Sequence, residues 1–184
     1  YSNNNGEIDF VDLIVGSEGI FGLITSATFR LKAMPDSFLD LFFTLPSEED
    51  AVRFYQHISD YFKGDLSNIT AMEYFGYNCK TYMKNYENLF NSKNDVGIYL
   101  QIPLYGKSVD DVSEKWLQIL VHSECGIMEE EILLLNDARS WQTFFEARHS
   151  IPVNALEKTR HLDTWSILTD TIVPPANFNK FLDL

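Results

Sequence analysis

The sequence predicts an α+β domain, a ferredoxin-like antiparallel sheet with helices on one face, and three observations predict it. Between Asp36 and Leu135 the apolar runs and periodic segments follow the order strand, helix, strand, strand, helix, strand, which is the split βαβ unit. Both helical segments of that unit have an apolar stripe and a polar back, as helices laid on a sheet do. The 184 residues are 45% hydrophobic and 14% aromatic, enough for a compact core that buries roughly 70% of the unfolded surface.

Taken in order, the opening YSNNNGE is polar and turn-rich and leads through FVDLIV to three glycines, Gly16, Gly19 and Gly22. Residues 23–31 alternate, with Leu23, Thr25, Ala27, Phe29 and Leu31 on one side, and predict a half-buried strand. Met34-Pro35-Asp36 breaks the pattern, so the expected division is 1–34 and 35–184. Residues 38–45 form the first strand of the sheet. Ser47 is a helix N-cap with acids behind it, and Val52, Tyr55, Ser59 and Phe62, with Ile58 beside them, mark the helix's inner face. Residues 69–75 and 96–104 are the next strands, separated by a short aromatic helix over 77–89. Residues 108–124 carry Val112, Trp116, Ile119 and Leu120 at helical spacing, and 127–135 form the fourth strand. A long helix then runs from about Asp137 to a kink expected at Pro152. A strand over 164–173 and a helix opened by Pro174-Pro175 complete the reading.

Composition excludes several functions. With 14 Lys and Arg against 27 Asp and Glu, the net charge of −13 disfavours nucleic acid and anionic lipid. No apolar run has the length of a membrane span, and no basic-then-apolar leader opens the chain. The two cysteines, Cys79 and Cys125, lie far apart and outside any metal-ligand spacing, which fits a reducing, cytoplasmic setting. Tyr1 in place of Met, and a last element that stops short, predict a piece of a longer protein.

The motif Gly16-Ser17-Glu18-Gly19-Ile20-Phe21-Gly22 has two readings. One is a tight turn feeding a strand; the other is a loop whose successive N–H groups face a ligand. The longer stretch DLIVGSEGIFGLITSATFRL resembles the segment that closes the FAD-binding domain of the vanillyl-alcohol-oxidase superfamily, commonly close to LFVGSEGTLGIITEATLRL. The resemblance implies that Gly16, Ser17, Glu18, Gly19, Gly22, Ile24 and Thr25 line the adenosine and pyrophosphate side of FAD. Ile20 and Phe21 depart from the usual Thr and Leu, so a hydroxyl contact at position 20 is missing. Further on, FFEARHSIPVNALEKTR and TDTIVPPANFNKFL are similar to the cap-domain stretch of the D-lactate dehydrogenase and glycolate oxidase branch, and AMEYFGYN falls where that branch often has ALEL. Residues 1–34 would then be the end of the FAD domain and 35–184 the cap.

In that family a small 2-hydroxy acid gives hydride to the flavin, and Arg148 matches the arginine expected to pair with the substrate carboxylate. A guanidinium suits the task because its planar fork binds two oxygens and stays charged. The bland alternative is a salt-bridged arginine near a helix end. His149 is the candidate proton acceptor, or else a solvated or hydrogen-bonded ring. His57, His122 and His161 have no partner at ligand spacing. Asp170 with Thr169 is either a residue flanking the active site or a turn residue. Leu168 and Pro152 stand where a dicarboxylate substrate would meet polar groups. Glu129-Glu130-Glu131 reads as a solvated edge, and Tyr74, Phe75, Tyr77, Tyr82 and Tyr86 as core and sheet cover.

Two segments of the family's machinery are absent from the sequence: the P-G-x-G-T-like phosphate loop and the H-x-G-D-G-N-x-H segment that supplies catalytic and metal-binding histidines. The chain is therefore expected to be inactive alone, with no metal ligands, and to need the remainder of the FAD domain as partner. Pairing of residues 23–31 between two copies would give a homodimer. Two rival readings are open: a self-contained acidic α+β module that binds a ligand or partner, and a flavin transferase resembling alkyl-glycerone-phosphate synthase.

Overall fold

The computed structural model describes residues 8–76, 78–166, 171, 173, 174 and 177–182. The chain divides into two compact units, Tyr1–Met34 and Pro35–Leu184. In the first, Asp9 caps a short helix, α1 (Phe10–Ile14), by accepting from the amides of Val11 at 2.9 Å and Asp12 at 3.3 Å. Consecutive turns follow. The strand expected over 23–31 does not form: Leu23 is 90% and Leu31 88% exposed, and no ladder partner is recorded for the segment among the described residues. Alternation prepares a strand, but without a neighbouring edge the backbone has nothing to pair with.

In the second unit the elements run β1 (Ser37–Leu45), α2 (Glu48–Tyr61), β2 (Ala71–Phe75), β3 (Val96–Leu104), α3 (Val109–Val121), β4 (Leu133–Leu134), α4 (Ala138–His161) and α5 (Phe178–Leu182). The strands form one antiparallel sheet in the order β2-β3-β1-β4. This is the ferredoxin-like α+β arrangement.

Central β1 is buried on both faces because its sequence, SFLDLFFTL, is apolar nearly throughout. Leu39, Leu41, Phe43 and Leu45 face α2 and α3, meeting Phe54 and Ile58 of the first and Trp116, Ile119 and Leu120 of the second. Each such buried side chain contributes about 1.5–3 kcal/mol relative to exposure. The buried stripe of α2 is Ala51, Phe54 and Ile58, rotated from the Val52–Tyr55–Ser59–Phe62 face that spacing suggested. Ser47 and Ser108 cap the two helices, their hydroxyls accepting from Asp50 and Asp111 amides at 3.2 Å.

The opposite face, carrying Phe42, Phe75 and Tyr99, is covered as well, by α4 and residues 79–90. The aromatic segment over 77–89 is two 3-10 turns, Cys79–Tyr82 and Tyr86–Asn88, rather than one helix. Gly97 marks how tightly this side packs: a Cβ there would lie 2.8 Å from the Phe42 ring and 2.9 Å from that of Phe90. β4 is shorter than the expected 127–135, since Glu129–Glu131 turn as a 3-10 helix. Asn136 extends the pairing with its amide, donating to the Phe38 carbonyl at 2.9 Å and accepting from the Asp40 amide at 3.3 Å.

Helix α4 continues through Pro152 to His161. Proline removes the N–H that would bond the Arg148 carbonyl, but anchors on both sides hold the helix to the 3-10 turn. Ser150 accepts from the Lys84 amide at 2.8 Å, Asn154 donates to the Tyr82 carbonyl at 2.8 Å, and Lys158 donates to the Tyr82 hydroxyl at 2.9 Å. Of the strand expected over 164–173, residues 164–166, 171 and 173 are not in a strand and the other half lies outside the described residues, as do Leu168, Thr169, Asp170 and Tyr77. No helix among the described residues is long and apolar enough to cross a membrane.

Candidate functional site

Polar residues interrupt the apolar strands on the sheet face covered by α4. The register aligns Asp40 of β1 with Gln101 of β3 and Ala71 of β2, and, two residues further along on the same face, Phe42 with Tyr99 and Glu73. Tyr99 donates to Asp40 Oδ1 at 2.6 Å, while Gln101 Nε2 lies 3.0 Å from the same oxygen and 3.1 Å from the Tyr99 hydroxyl. Burial and the bond to Asp40 push the Tyr99 phenol above its ordinary pKa, so it stays a neutral donor.

Above this row lies a cleft of about 580 Å³ lined by Glu73, Tyr99, Trp141, Phe144, Arg148 and His149, with residues 70–72 and Phe145. The spacing of α4 sends Phe144 and Ala147 into the core and leaves Trp141, Arg148 and His149 along the cleft. Arg148 is paired with Glu73: Nε donates to Oε2 at 2.8 Å and Nη2 to Oε1 at 2.6 Å. That bidentate bond, the largest cause, raises the guanidinium pKa further and keeps it charged. The Arg148 side chain is 41% exposed, so the pair sits at the mouth rather than in the core. The His149 ring lies 3.8 Å, centroid to centroid, from that of Phe145, and its Nδ1 is 3.0 Å from the Phe145 carbonyl. Cys79 is pushed up to about 11 by burial and by nearby Glu73, which keeps it a thiol into mildly alkaline pH.

Arg148 and His149, the candidates named from sequence, both line this cleft, and its other lining residues were not named there. Asp40, Tyr99 and Gln101 had a signal: polar groups at alternate positions of otherwise apolar strands, FLDLFF and IYLQI. Glu73 had a weaker one, as a lone carboxylate in AMEYF. Of the tyrosines in the aromatic set, Tyr74 lies on the other face, where it donates to Glu48 at 2.8 Å. His57 and His122 are hydrogen-bonded to the carbonyls of Ile119 and Gln118, and Glu131 accepts from Asn91.

The glycine motif is a chain of turns. Ser17, Ile20 and Gly22 amides donate to the carbonyls of Ile14, Ser17 and Gly19 at 3.1, 2.9 and 3.3 Å. Gly16, Glu18, Gly19 and Gly22 all have positive φ, and a Cβ on any of the three glycines would meet nothing within 4 Å. Ser17 is half-buried; Glu18, Ile24 and Thr25 are exposed. Among the described residues the amides of Glu18, Gly19 and Phe21 stand outside this turn ladder. Such a surface fits one wall of a phosphate-bearing cofactor. No group of three or more His, Cys, Asp or Glu among the described residues could hold a metal ion. No family model matches the chain, and no curated protein matches it.

Proposed function

We propose that the chain is part of a flavin-dependent oxidoreductase that oxidises a small 2-hydroxy acid, D-lactate or glycolate-like, to the 2-oxo acid. The observation that carries the reading is the juxtaposition of Arg148 and His149 in one cleft with Tyr99 and Trp141. Arg148 would bind the substrate carboxylate, and His149 would stand within the same cleft as a proton acceptor for the hydroxyl. Gly16, Ser17, Glu18, Gly19, Gly22, Ile24 and Thr25 would hold FAD, which when bound accepts the hydride. The resemblance of DLIVGSEGIFGLITSATFRL and FFEARHSIPVNALEKTR to that family supports the assignment of 1–34 as the end of a flavin domain and 35–184 as a cap. Two free cysteines agree with a cytoplasmic setting.

One observation favours the second reading, a self-contained binding module: the carboxylate on Arg148 is the chain's own Glu73. The two readings separate by experiment. The chain alone, titrated with FAD, should bind weakly or not at all, because it provides one wall of the site. A protein carrying this chain with a complete flavin domain should be yellow and reduce a dye with D-lactate or glycolate. Absence of flavin from that protein would overturn the proposal.

A further inference from the structure

The Glu73–Arg148 contact is made on one edge of the guanidinium. Glu73 takes the Nε and Nη2 donors side-on. A guanidinium has five N–H donors in a rigid plane. Three remain with no partner among the described residues: one on Nη2 and one on Nη1, which together form the end-on fork, and the second Nη1 donor on the far edge. Glu73 itself is fixed by β2, where it pairs across from Tyr99 in the middle of the antiparallel ladder. The Arg148 side chain, which donates both bonds, is 41% exposed, and Trp141, Tyr99 and His149 line the same cleft.

We infer that Glu73 is a positioning residue: it holds Arg148 side-on so that the end-on fork is presented to a small monocarboxylate in the cleft. The inference rests on the reading of this cleft as a carboxylate site. A guanidinium on a long side chain loses rotamer freedom when it binds, and a strand-mounted carboxylate that has already fixed it removes that cost. The bound anion also meets a net-neutral pair rather than a lone cation, which favours a singly charged, compact ligand over a dicarboxylate. If Glu73 were instead an internal competitor occupying the ligand's place, its removal would strengthen anion binding. The two predictions are opposite in sign.

The test uses the chain itself, with acetate and D-lactate as probes, followed through the arginine side-chain N–H resonances assigned by Arg148→Lys. Wild type should bind both with millimolar dissociation constants, within reach of titration to ~100 mM. Glu73→Ala should weaken binding about tenfold, speed exchange of the Arg148 Nε–H proton, and leave the backbone amide spectrum folded. Glu73→Asp should recover part of the loss, which a merely structural role would not do. Unchanged or tighter binding by Glu73→Ala would overturn the inference, as would the absence of any wild-type response. Equal affinities for acetate and D-lactate, both lost in Glu73→Ala, would uphold Glu73's role and count against the 2-hydroxy acid reading.

Discussion

The glycine turns and the Arg148 cleft are built in opposite ways. At Gly16–Gly22 the side chains are small or exposed and the shape is set by backbone dihedrals, with Ile20 80% and Leu23 90% exposed beside them. In the cleft the backbone is regular helix and strand, and shape is set by packed rings: Phe144 lies 4.9 Å from Tyr99 and 5.4 Å from Phe42, centroid to centroid. The first kind of site can be written in a short motif because its information is local. The second needs three strands and a helix to bring its residues together.

This contrast can be broken most forcefully at Phe144. Its truncation in Phe144→Ala should cost about 3–5 kcal/mol, because a fully buried ring leaves a cavity that its aromatic neighbours cannot collapse into. Urea denaturation would register it as a lower midpoint with an unchanged slope; a loss under ~1 kcal/mol would mean the cleft floor is not rigidly packed. Next in size is Arg148→Lys, which keeps charge and loses the fork. In a protein with the complete flavin domain, kcat/KM for the hydroxy acid should fall by one to two orders of magnitude, about 1.4–3 kcal/mol, and unchanged kinetics would remove Arg148 from the site.

Gly19→Ala probes the other kind of construction. With φ at 85° and open space around a Cβ, the substitution strains the turn by about 1 kcal/mol and touches nothing else. It should leave the urea midpoint of residues 35–184 unchanged and, in a protein with the complete flavin domain, lower flavin affinity; unchanged affinity would remove Gly19 from the flavin site. The smallest effect on the fold is at Cys79. Burial raises its pKa from 9.0 to about 11, so the folded state favours the neutral thiol. The resulting stability is fully present below pH 9 and is lost as pH rises through about 11. At pH 8 alkylation of Cys79 should be slowed by about two orders of magnitude relative to an ordinary thiol, and rapid labelling would contradict the burial.

Much of the sheet was legible because its signals are local. Ser47 announced one helix and the spacing of Val112, Trp116, Ile119 and Leu120 the other, and the apolar runs of β1 and β3 marked buried strands. The second sheet face was less legible: whether Phe42 and Tyr99 meet water or a helix depends on α4, nearly a hundred residues away from β1. Residues 23–31 failed for the converse reason, since perfect alternation does not supply an edge to pair with. In the cleft, Arg148 stood out by its chemistry and by resemblance. Glu73 could not be assigned to it from sequence, because their pairing follows from the register of β2 on β3 and the seat of α4. Asp40 and Gln101 were readable as polar breaks in apolar strands, but not as partners of Tyr99.

The proposed function is that this chain completes a flavin site and carries a cleft for a small 2-hydroxy acid. Its most direct test is anaerobic addition of D-lactate or glycolate to a protein that carries the chain with a complete flavin domain, following the oxidised flavin's visible absorbance. Bleaching by at least one of the two acids is expected, slowed in Arg148→Lys. An unchanged spectrum with both, in a protein that does hold flavin, would contradict it.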